Sequence, residues 1–405
     1  MDNQELSMIS ADIVVAGGGV AGLLIASALA PQFSVILIEQ NDTLPRNKYW
    51  LTNASVANDD PELKSCIDRQ YDFLNFVAYD GLTATVAGAY YLWDTEKLVE
   101  LLERRILRSG AQLMTGHQLY AFWLEKNNIL VRANSATIKA KLLIDCMGFG
   151  SPIVGAKNVA TITGYYILHG CEVPVRNGVR PIALDNVAFN RNPAFFELFP
   201  TSKQTAHAAI ILPSRNYKAD RSLHKEFSFI LNKSHYAEQI RGEKLEANRS
   251  YFGVVPVGRL HQPALDRIVF FGEAGQANPA ASATGLTRML RTYRELASGI
   301  ERCIKADQLN QKSLLRAIPP YMTRMNRIFQ ENLFESLLSF DSDRFLTLVK
   351  ELNDVPAQTV NELLFAEFDF RTANALRLAF DAVRQPGGVL GRNVIKSLAR
   401  MCLRS

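Results

Sequence analysis

The sequence predicts an α/β protein in which a parallel sheet is interrupted by an inserted antiparallel sheet and followed by a helical C-terminal extension. Three observations lead to this prediction. A glycine-rich turn follows a short apolar run within residues 13–22, a second glycine cluster occurs within residues 272–285, and much of the chain between them alternates like β-structure. A chain of 405 residues is long enough to form two or three domains.

The first glycine turn has the features of a nucleotide-binding site. Residues 13–16 predict a buried parallel strand, and residues 23–30 predict the helix that follows it. Gly17 permits a tight turn, Gly19 lets a pyrophosphate approach the backbone, and Gly22 lets the helix pack closely on the strand. The pyrophosphate would lie on the free N–H groups at the helix start. The predicted contacts are Gly17, Gly19, Val20, Ala21 and Gly22.

An acidic residue follows the second predicted strand, residues 34–38, at Glu39. An acid at this place hydrogen-bonds a ribose diol and disfavours a 2′-phosphate, so the expected ligand is an adenine dinucleotide other than NADP. No charged residue occurs between Asp12 and Glu39, which is also a feature of membrane-spanning helices. Three consecutive glycines and Pro31 interrupt the apolar run and favour a βαβ core instead.

Composition limits the classes of function. The 48% hydrophobic and 21% charged residues are typical of a globular protein, and a net charge of +5 without a basic stripe argues against nucleic-acid binding. The five cysteines are scattered without a C-x-x-C pair, and the histidines lack metal-ligand spacing, so neither a disulfide framework nor a metal is expected. The acidic N-terminus does not resemble a signal peptide, and we expect a cytoplasmic protein.

The remaining elements follow from periodicity and turn residues. A helix is predicted over 98–107, with Asp94 or Thr95 near its N-cap. Antiparallel strands are predicted at 111–115, 118–125, 128–133 and 137–140, followed by a short strand at 141–144. Residues 159–214 are again β-like, residues 222–240 predict a helix, and residues 251–257 and 267–271 predict strands. Past about residue 311 the pattern is helical.

The domain organisation is predicted to be discontinuous, because no repeat and no long polar linker separates these segments. Residues 1–75, 93–158 and 250–310 would form the nucleotide-binding domain. Residues 76–92 and 159–249 would form an inserted sheet that covers the ligand and binds the substrate. Residues 311–405 would form the helical C-terminal region.

The second glycine cluster indicates which dinucleotide is bound. It predicts a strand, a small-residue loop beginning at Gly272, and a helix from about Leu286. That helix start could hold a second polar group of the same cofactor, and Glu273 could bond sugar-chain hydroxyls. NAD needs no distant second clasp, whereas FAD extends far enough to require one. The two clusters together therefore predict a Rossmann-like FAD-binding domain.

With these motifs the sequence resembles the FAD-dependent lycopene-cyclase-like family, within the flavoprotein monooxygenase superfamily that includes aromatic-ring hydroxylases and flavin halogenases. Residues 143–152 are similar to the D-x-x-G turn of that group, and residues 272–275 are similar to its G-[DE]-A loop. A looser likeness extends through residues 166–173, 181–185 and 195–201 into the C-terminal helices. The resemblance implies further FAD contacts at Arg46, Leu119, Gly148, Gly272, Glu273, Pro279, Gly285 and Leu286. For Arg46 the alternative is a solvated loop arginine.

The chain departs from the cyclases at one place. After the stretch at residues 198–201, the cyclases carry an acidic cluster that protonates the polyene, whereas residues 207–214 contain no carboxylate here. Without a strong acid, a carbocation is hard to form on an unactivated alkene. The departure argues against true lycopene cyclisation.

Three polar residues on apolar strands of the insert, His169, Glu197 and His207, are the candidate catalytic groups. A proton-handling group in a hydrophobic pocket is a natural base for activating a phenol or an enol. The alternative interpretation is that they are hydrogen-bonded core or edge residues. Tyr49 and Trp50 are candidates for lining the flavin cavity, with ordinary core packing as the alternative.

The predicted function is an FAD-dependent monooxygenase that oxygenates a hydrophobic small molecule in secondary metabolism. NAD(P)H would act as a transient reductant, or a separate flavin reductase would supply the electrons, because no second dinucleotide fingerprint occurs. One alternative is a redox-neutral enzyme of lycopene-cyclase type acting on an isoprenoid or polyene. A lesser alternative is a flavin-dependent halogenase, for which no lysine is recognisably positioned in the sequence.

The last predicted helix carries Arg392, Lys396, Arg400 and Arg404 at four-residue spacing beside apolar residues. Such a basic amphipathic helix could rest on an anionic membrane surface, which would make the protein membrane-associated. The alternative is a docked terminal helix whose cations suit its C-terminal dipole.

Overall fold

The computed structural model describes residues 8–46, 48–57, 60–186, 194–217, 221–240, 250–320, 322–368 and 388–402. Within these residues the chain forms a mixed α/β structure with three sheets. This confirms the predicted class: a Rossmann-like domain, an inserted and mainly antiparallel sheet, and a helical C-terminal region. The predicted domain boundaries themselves stay a prediction.

The parallel sheet has the strand order β17-β18-β11-β2-β3-β7, and only β17 runs antiparallel to its neighbour. Every residue of β2, β3, β11 and β18 is buried, as expected for a parallel sheet covered on both faces. The strands are β2 (Ile13–Ala16), β3 (Val35–Ile38), β7 (Gln112–Met114), β11 (Leu142–Asp145), β17 (Ala264–Leu265) and β18 (Ile268–Phe270).

The prediction that residues 111–115 form an antiparallel strand was wrong. Strand β7 pairs in parallel with β3, with Leu113 opposite Leu37. A helix, Thr95–Arg108, lies directly before β7, and a helical connection returns the chain to the edge of a sheet in the same direction as its neighbour.

A small sheet covers one face of the parallel sheet and has the order β1-β10-β9-β8. Val14 and Ile36 of the parallel sheet share a core with Val131 and Ile138 of the small sheet. The strands predicted at 118–125, 128–133 and 137–140 are confirmed. The strands are β1 (Met8–Ser10), β8 (Leu119–Leu124), β9 (Ile129–Ala133) and β10 (Ala136–Ala140).

The large sheet has the order β16-β12-β15-β14-β13-β5-β6-β4, and all its pairs are antiparallel except β13 with β5. The β-structure predicted for residues 159–214 and 251–257 is confirmed. The strands are β4 (Leu51–Asn53), β5 (Ile67–Val77), β6 (Thr83–Trp93), β12 (Ala160–Pro174), β13 (Ile182–Asp185), β14 (Phe195–Pro200), β15 (Thr205–Ser214) and β16 (Ser250–Leu260).

The described helices include two long ones beside the parallel sheet, α3 and α6, which share a core with α1. The helices are α1 (Val20–Leu29), α2 (Pro61–Lys64), α3 (Thr95–Arg108), α4 (Pro152–Lys157), α5 (Arg221–Lys233), α6 (Gly285–Lys305), α7 (Gln311–Ala317), α8 (Arg324–Leu337), α9 (Ser342–Asp354), α10 (Ala357–Leu364) and α11 (Val389–Cys402). Asp94 is the N-cap of α3 and accepts a hydrogen bond from the Lys97 N–H, as its position predicted.

Two predicted helices differ in detail. The helix expected over 222–240 ends at Lys233, because Ser234 caps a separate 3₁₀ turn, His235–Glu238. Helix α11 docks on α8, where Asn332 donates a hydrogen bond to Ser397. The cations Arg392, Lys396 and Arg400 lie on its exposed face, whereas Arg404 lies outside the described residues. Membrane contact by this helix stays a prediction.

Within the described part of the chain, none of the helices combines the length and the apolar character needed to cross a bilayer.

Candidate functional site

The parallel sheet brings three sequence motifs to one edge. Its register places Ala16, Ile38, Asp145 and Phe270 in one row, and each is the last residue of its strand. Because carboxyl ends of parallel strands meet at the same edge, the turns that follow these strands lie side by side. Ligands of open α/β sheets bind in this region.

The glycines of the first turn have different structural roles. Gly17 has φ +105, and a Cβ there would lie 2.5 Å from the Cys146 carbonyl oxygen. A Cβ at Gly22 would lie 1.9 Å from the Gly17 carbonyl oxygen. Gly19 has an extended backbone, φ −68 and ψ 174, and a Cβ there would meet nothing within 4 Å. Gly17 and Gly22 are therefore required for packing, whereas Gly19 keeps open a space at the start of α1.

Glu39 is fixed beside this turn. Its Oε2 accepts a hydrogen bond from the Gly18 N–H at 2.7 Å, and its Oε1 accepts two from Asn41, at 3.0 Å from the backbone and 2.6 Å from the side-chain amide. A carboxylate can accept about four hydrogen bonds. The buried Glu39 carboxylate therefore has capacity for about one further hydroxyl donor.

The second turn, after β11, is held by Asp145. Its carboxylate accepts hydrogen bonds from the Met147 N–H at 3.0 Å and from the Ser151 hydroxyl. Burial raises the pKa of Asp145 to about 6, although both hydrogen bonds oppose this. Gly148 follows with φ +73, and a Cβ there would lie 3.4 Å from Glu273 Oε2. The second turn thus lies against the third.

The third turn, after β18, packs against the first. Gly272 has φ +68, and a Cβ there would lie 2.4 Å from the Ala21 Cβ at the start of α1. Burial raises the pKa of Glu273, while the Lys48 charge and the Phe149 N–H hydrogen bond lower it. The loop then reaches the start of α6 at Gly285. The structure therefore brings together the predicted residues of all three motifs.

A cavity of about 300 Å³ lies between this edge, the large sheet and the C-terminal helices. Its walls are mainly apolar and aromatic, and the charged residues that line it are Lys48, Glu197 and Glu273. The first residues of α6, Gly285 and Leu286, also line it. The aromatic residues of the lining are Tyr49, Trp50, Phe76, Tyr166, Phe195, Phe199, Tyr251, Phe252 and Phe365.

Glu197 is the titratable group that β14 presents to the cavity. The Tyr49 hydroxyl donates a hydrogen bond to Glu197 Oε2 at 2.8 Å. Burial raises the pKa of Glu197 to about 7, and the Tyr49 hydrogen bond limits the rise. At neutral pH this carboxyl is therefore divided between its protonated and ionised forms.

His207 supports this pair without lining the cavity. Its ring stacks on the Tyr49 ring with centroids 4.9 Å apart and planes at 10°. Its Nδ1 is buried, and no hydrogen-bond partner is found for it within the described residues. Burial lowers the pKa of His207, so the neutral ring is favoured.

Four other predicted residues, His169, Arg46, Leu119 and Pro279, are not part of the cavity lining. His169 Nε2 lies 3.0 Å from His224 Nδ1 of α5, on the opposite face of β12 from Tyr166 and Leu168, which line the cavity. The guanidinium of Arg46 pairs with two glutamates of α3, Glu100 and Glu103, each at 3.1 Å. Leu119 is buried at the start of β8, and Pro279 lies in the loop before α6. The roles predicted for these residues stay predictions.

Sequence reasoning missed several residues of the site. The pairing of Tyr49 with Glu197 was not predicted, nor were Lys48, Tyr251 and Asn278 as lining residues. Lys48 lies at the cavity, although no lysine is recognisably positioned in the sequence. The signal in the sequence that could have indicated Lys48 is its position shortly after the strand that precedes Glu39.

The comparisons with known proteins agree with this geometry. A family model described as "Lycopene cyclase protein" matches residues 12–380. Among curated proteins no sequence matches the chain. A solved structure from Thermoplasma acidophilum, described as geranylgeranyl bacteriochlorophyll reductase-like, is 15% identical, with coverage of 92% of this chain and 100% of that chain and a TM-score of 0.73.

Two further solved structures are similar in fold. The halogenase PltM in complex with phloroglucinol and FAD is 13% identical, with coverage of 96% of both chains and a TM-score of 0.64. The flavin-dependent brominase Bmp2 is 13% identical, with coverage of 93% of this chain and 100% of that chain and a TM-score of 0.67. At these identities the likeness establishes the fold.

The raised pKa of Glu197 predicts a specific pH dependence of stability. The free energy of unfolding should fall as pH rises from about 4.5 to about 7, because the unfolded chain releases the proton first. The Glu197→Gln variant should lack this part of the decrease. The titration of Asp145 should lower the free energy of unfolding equally in both proteins. Urea unfolding at several pH values measures the difference, and Glu295→Gln on the exposed face of α6 is the control. A wild-type-minus-variant difference that is constant with pH would contradict the prediction.

Proposed function

The chain belongs to the lycopene cyclase protein family, and from this premise we propose that it is an FAD-dependent enzyme acting on a hydrophobic small molecule. The three turns at the edge of the parallel sheet would hold the cofactor, and the adjoining apolar cavity would take the substrate. The family and the solved FAD-containing relative support the first part. The lining of the cavity supports the second.

The residues present fit FAD. The open space at Gly19 and the N–H groups of Val20 and Ala21 would receive the pyrophosphate at the start of α1. The remaining acceptor capacity of Glu39 suits a ribose hydroxyl. The cofactor is long enough to pass Gly148 of the second turn and to reach the third turn and the start of α6. The proposed contacts there are Gly272, Glu273, Pro279, Gly285 and Leu286. When bound, the flavin supplies the redox chemistry and the activation of oxygen.

We propose oxygenation as the net reaction, and Glu197 is the observation that carries this choice. A general base is most effective when its pKa lies near the working pH, and the pKa of Glu197 is raised to about 7. Tyr49 holds Oε2, so Oε1 is the atom that would accept the proton of a substrate phenol or enol. Removing that proton makes the substrate a stronger nucleophile towards activated oxygen.

The proposed reaction balances with NAD(P)H and O₂ as co-substrates. One oxygen atom enters the product and the other leaves as water, while NAD(P)H supplies two electrons. NAD(P)H would reduce the enzyme directly, or a separate flavin reductase would do so. The mainly apolar and aromatic walls would limit the access of water to the reacting groups, which would strengthen electrostatic interactions inside the cavity.

A redox-neutral enzyme of lycopene-cyclase type is the second candidate. The family model and the carboxyl of Glu197 in the cavity favour it. It ranks second because a carboxyl with a pKa of about 7 is a weak acid for protonating an unactivated alkene. Residues 207–214, most of β15, add no carboxylate.

Halogenation is the third candidate, and Lys48 is the observation that favours it. Its side chain is exposed and lines the cavity, where its charge acts on Glu273. A cavity lysine is the kind of residue that could carry a hypohalous acid. The candidate ranks third because the sequence lacks the halogenase signature near the flavin turns.

The cofactor proposal predicts that Gly19→Val abolishes flavin binding without preventing folding. The new side chain meets no protein atom near its Cβ and fills the space assigned to the pyrophosphate. Visible absorbance and the amount of FAD released on heating measure the loss, and circular dichroism checks the fold. Gly155→Val in α4, where a Cβ also meets nothing within 4 Å, is the matched control. Wild-type flavin content in Gly19→Val would exclude this cofactor site.

The reaction proposal predicts substrate-dependent consumption of both NAD(P)H and O₂, coupled to product in a ratio near one. Phenolic, quinone and polyene compounds should be compared, with a flavin reductase added in a parallel series. Product formation without NAD(P)H or O₂ consumption would instead establish the redox-neutral candidate. Halogenated product that requires added chloride or bromide and disappears in Lys48→Met would establish the third.

The hydrogen bond from Tyr49 predicts a shift in the pH profile. In Tyr49→Phe the acidic limb of kcat/KM should move to higher pH by about one unit, because a hydrogen bond to a charged group contributes about 1.5 kcal/mol. Tyr71→Phe removes a buried hydroxyl that bonds the Pro200 carbonyl outside the cavity and is the control. Glu197→Gln should abolish the limb. An unmoved limb in Tyr49→Phe would show that Glu197 is not the titrating group.

A further inference from the structure

A second cavity, of about 160 Å³, lies between the loop that contains Gln276, the end of β16 and the start of α8. Its charged lining residues are Arg259 of β16 and two residues of α8, Arg327 and Glu331. Asn278 lines both this cavity and the larger one. The two spaces therefore share part of one wall.

The two arginines of this second cavity share it with a single described carboxylate, Glu331. Within the described residues, neither the Arg259 nor the Arg327 guanidinium has a hydrogen-bond or ion-pair partner. Burial lowers the pKa of Arg327, and the charge of Arg259 lowers it further, whereas Glu331 opposes the change. The charge of the exposed Arg259 acts on the partly buried Arg327 more strongly than the opposing charge of Glu331 does, and a bound anion would relieve the remaining repulsion.

Other partly buried arginines of the protein do have partners. Arg105 bonds Asp60 with both terminal nitrogens, and Arg288 donates a hydrogen bond to the Ala366 carbonyl oxygen. Arg327 differs from them. It also lies in the first turn of α8, where the positive end of the helix dipole makes a cation unfavourable and an anion favourable.

We propose that the second cavity binds a phosphate-bearing small molecule through Arg259 and Arg327. The arginines come from different elements, so they can bond different oxygens of a tetrahedral phosphate, whereas a single guanidinium fork already satisfies a planar carboxylate. Inorganic phosphate and the nicotinamide dinucleotides both present this group. Asn278 gives the bound phosphate a direct structural connection to the wall of the larger cavity.

The proposal goes beyond the oxygenation reaction and does not require it. Phosphate binding is an equilibrium property that can be measured without turnover. FAD content and oxygen consumption are separate measurements, so a failure of either proposal leaves the other testable.

The test is titration calorimetry of the purified chain with inorganic phosphate, pyrophosphate, NADH and NADPH at constant ionic strength. Saturable binding of at least one probe is expected, and Arg327→Gln and Arg259→Gln should each weaken it about tenfold, the effect of losing about 1.4 kcal/mol. Arg324→Gln is the matched control, since Arg324 is exposed on the same helix and does not line the cavity. Tighter binding of a dinucleotide than of pyrophosphate would identify the reductant as the source of the phosphate.

Two results would overturn the proposal. One is the absence of binding for all four probes. The other is binding that Arg327→Gln and Arg259→Gln leave unchanged, or that Arg324→Gln weakens equally, because either pattern would indicate nonspecific attraction to positive charge.

Discussion

The close packing of the first glycine turn against the ends of β11 and β18 is the constraint on which the site depends. Gly17 lies against the Cys146 carbonyl, and Gly272 lies against Ala21. These contacts leave no room for side chains, so the three turns pack directly against one another and form one backbone-lined edge of the sheet. Gly19 shows the complementary principle, because its missing side chain leaves space that no protein atom fills. A surface of this kind suits a long, anionic, dinucleotide-like ligand.

The alternation of side chains along the strands of the large sheet decides which residues face the larger cavity. On β14, Phe195, Glu197 and Phe199 face the larger cavity, while Phe196 and Leu198 enter a separate core beneath α5. A shift of one residue in the register would exchange these two sets. The same alternation on β12 directs His169 towards α5 and Tyr166 towards the cavity. Glu197 therefore lies among apolar residues of the cavity because of the pleat of β14 as well as because of its composition.

The first motif could be predicted from its local sequence. The rest of the site depends on pairing between residues that are distant in the chain, which a local pattern does not indicate. The strand, the glycine turn, α1 and Glu39 could be predicted because each depends on neighbours within about one βαβ unit. The direction of β7 could not be predicted from its own residues, since its partner β3 lies far earlier in the chain. The Tyr49–Glu197 hydrogen bond joins residues 148 positions apart. Arg46 likewise finds its glutamate partners on α3, which no local pattern indicates.

The two cavity carboxyls differ because their neighbours differ. The Lys48 charge and the Phe149 N–H stabilise the ionised form of Glu273. Glu273 also lies against Gly148, so its carboxylate connects the third turn to the second. Within the described residues, no cation contributes to the pKa shift of Glu197, and the Tyr49 hydrogen bond is what opposes its desolvation. Its two protonation states are therefore close in free energy near neutral pH. A group that exchanges a proton at little cost is suited to acid–base work, and on these electrostatic grounds Glu197 rather than Glu273 is the carboxyl to which we assign the proposed role as a base.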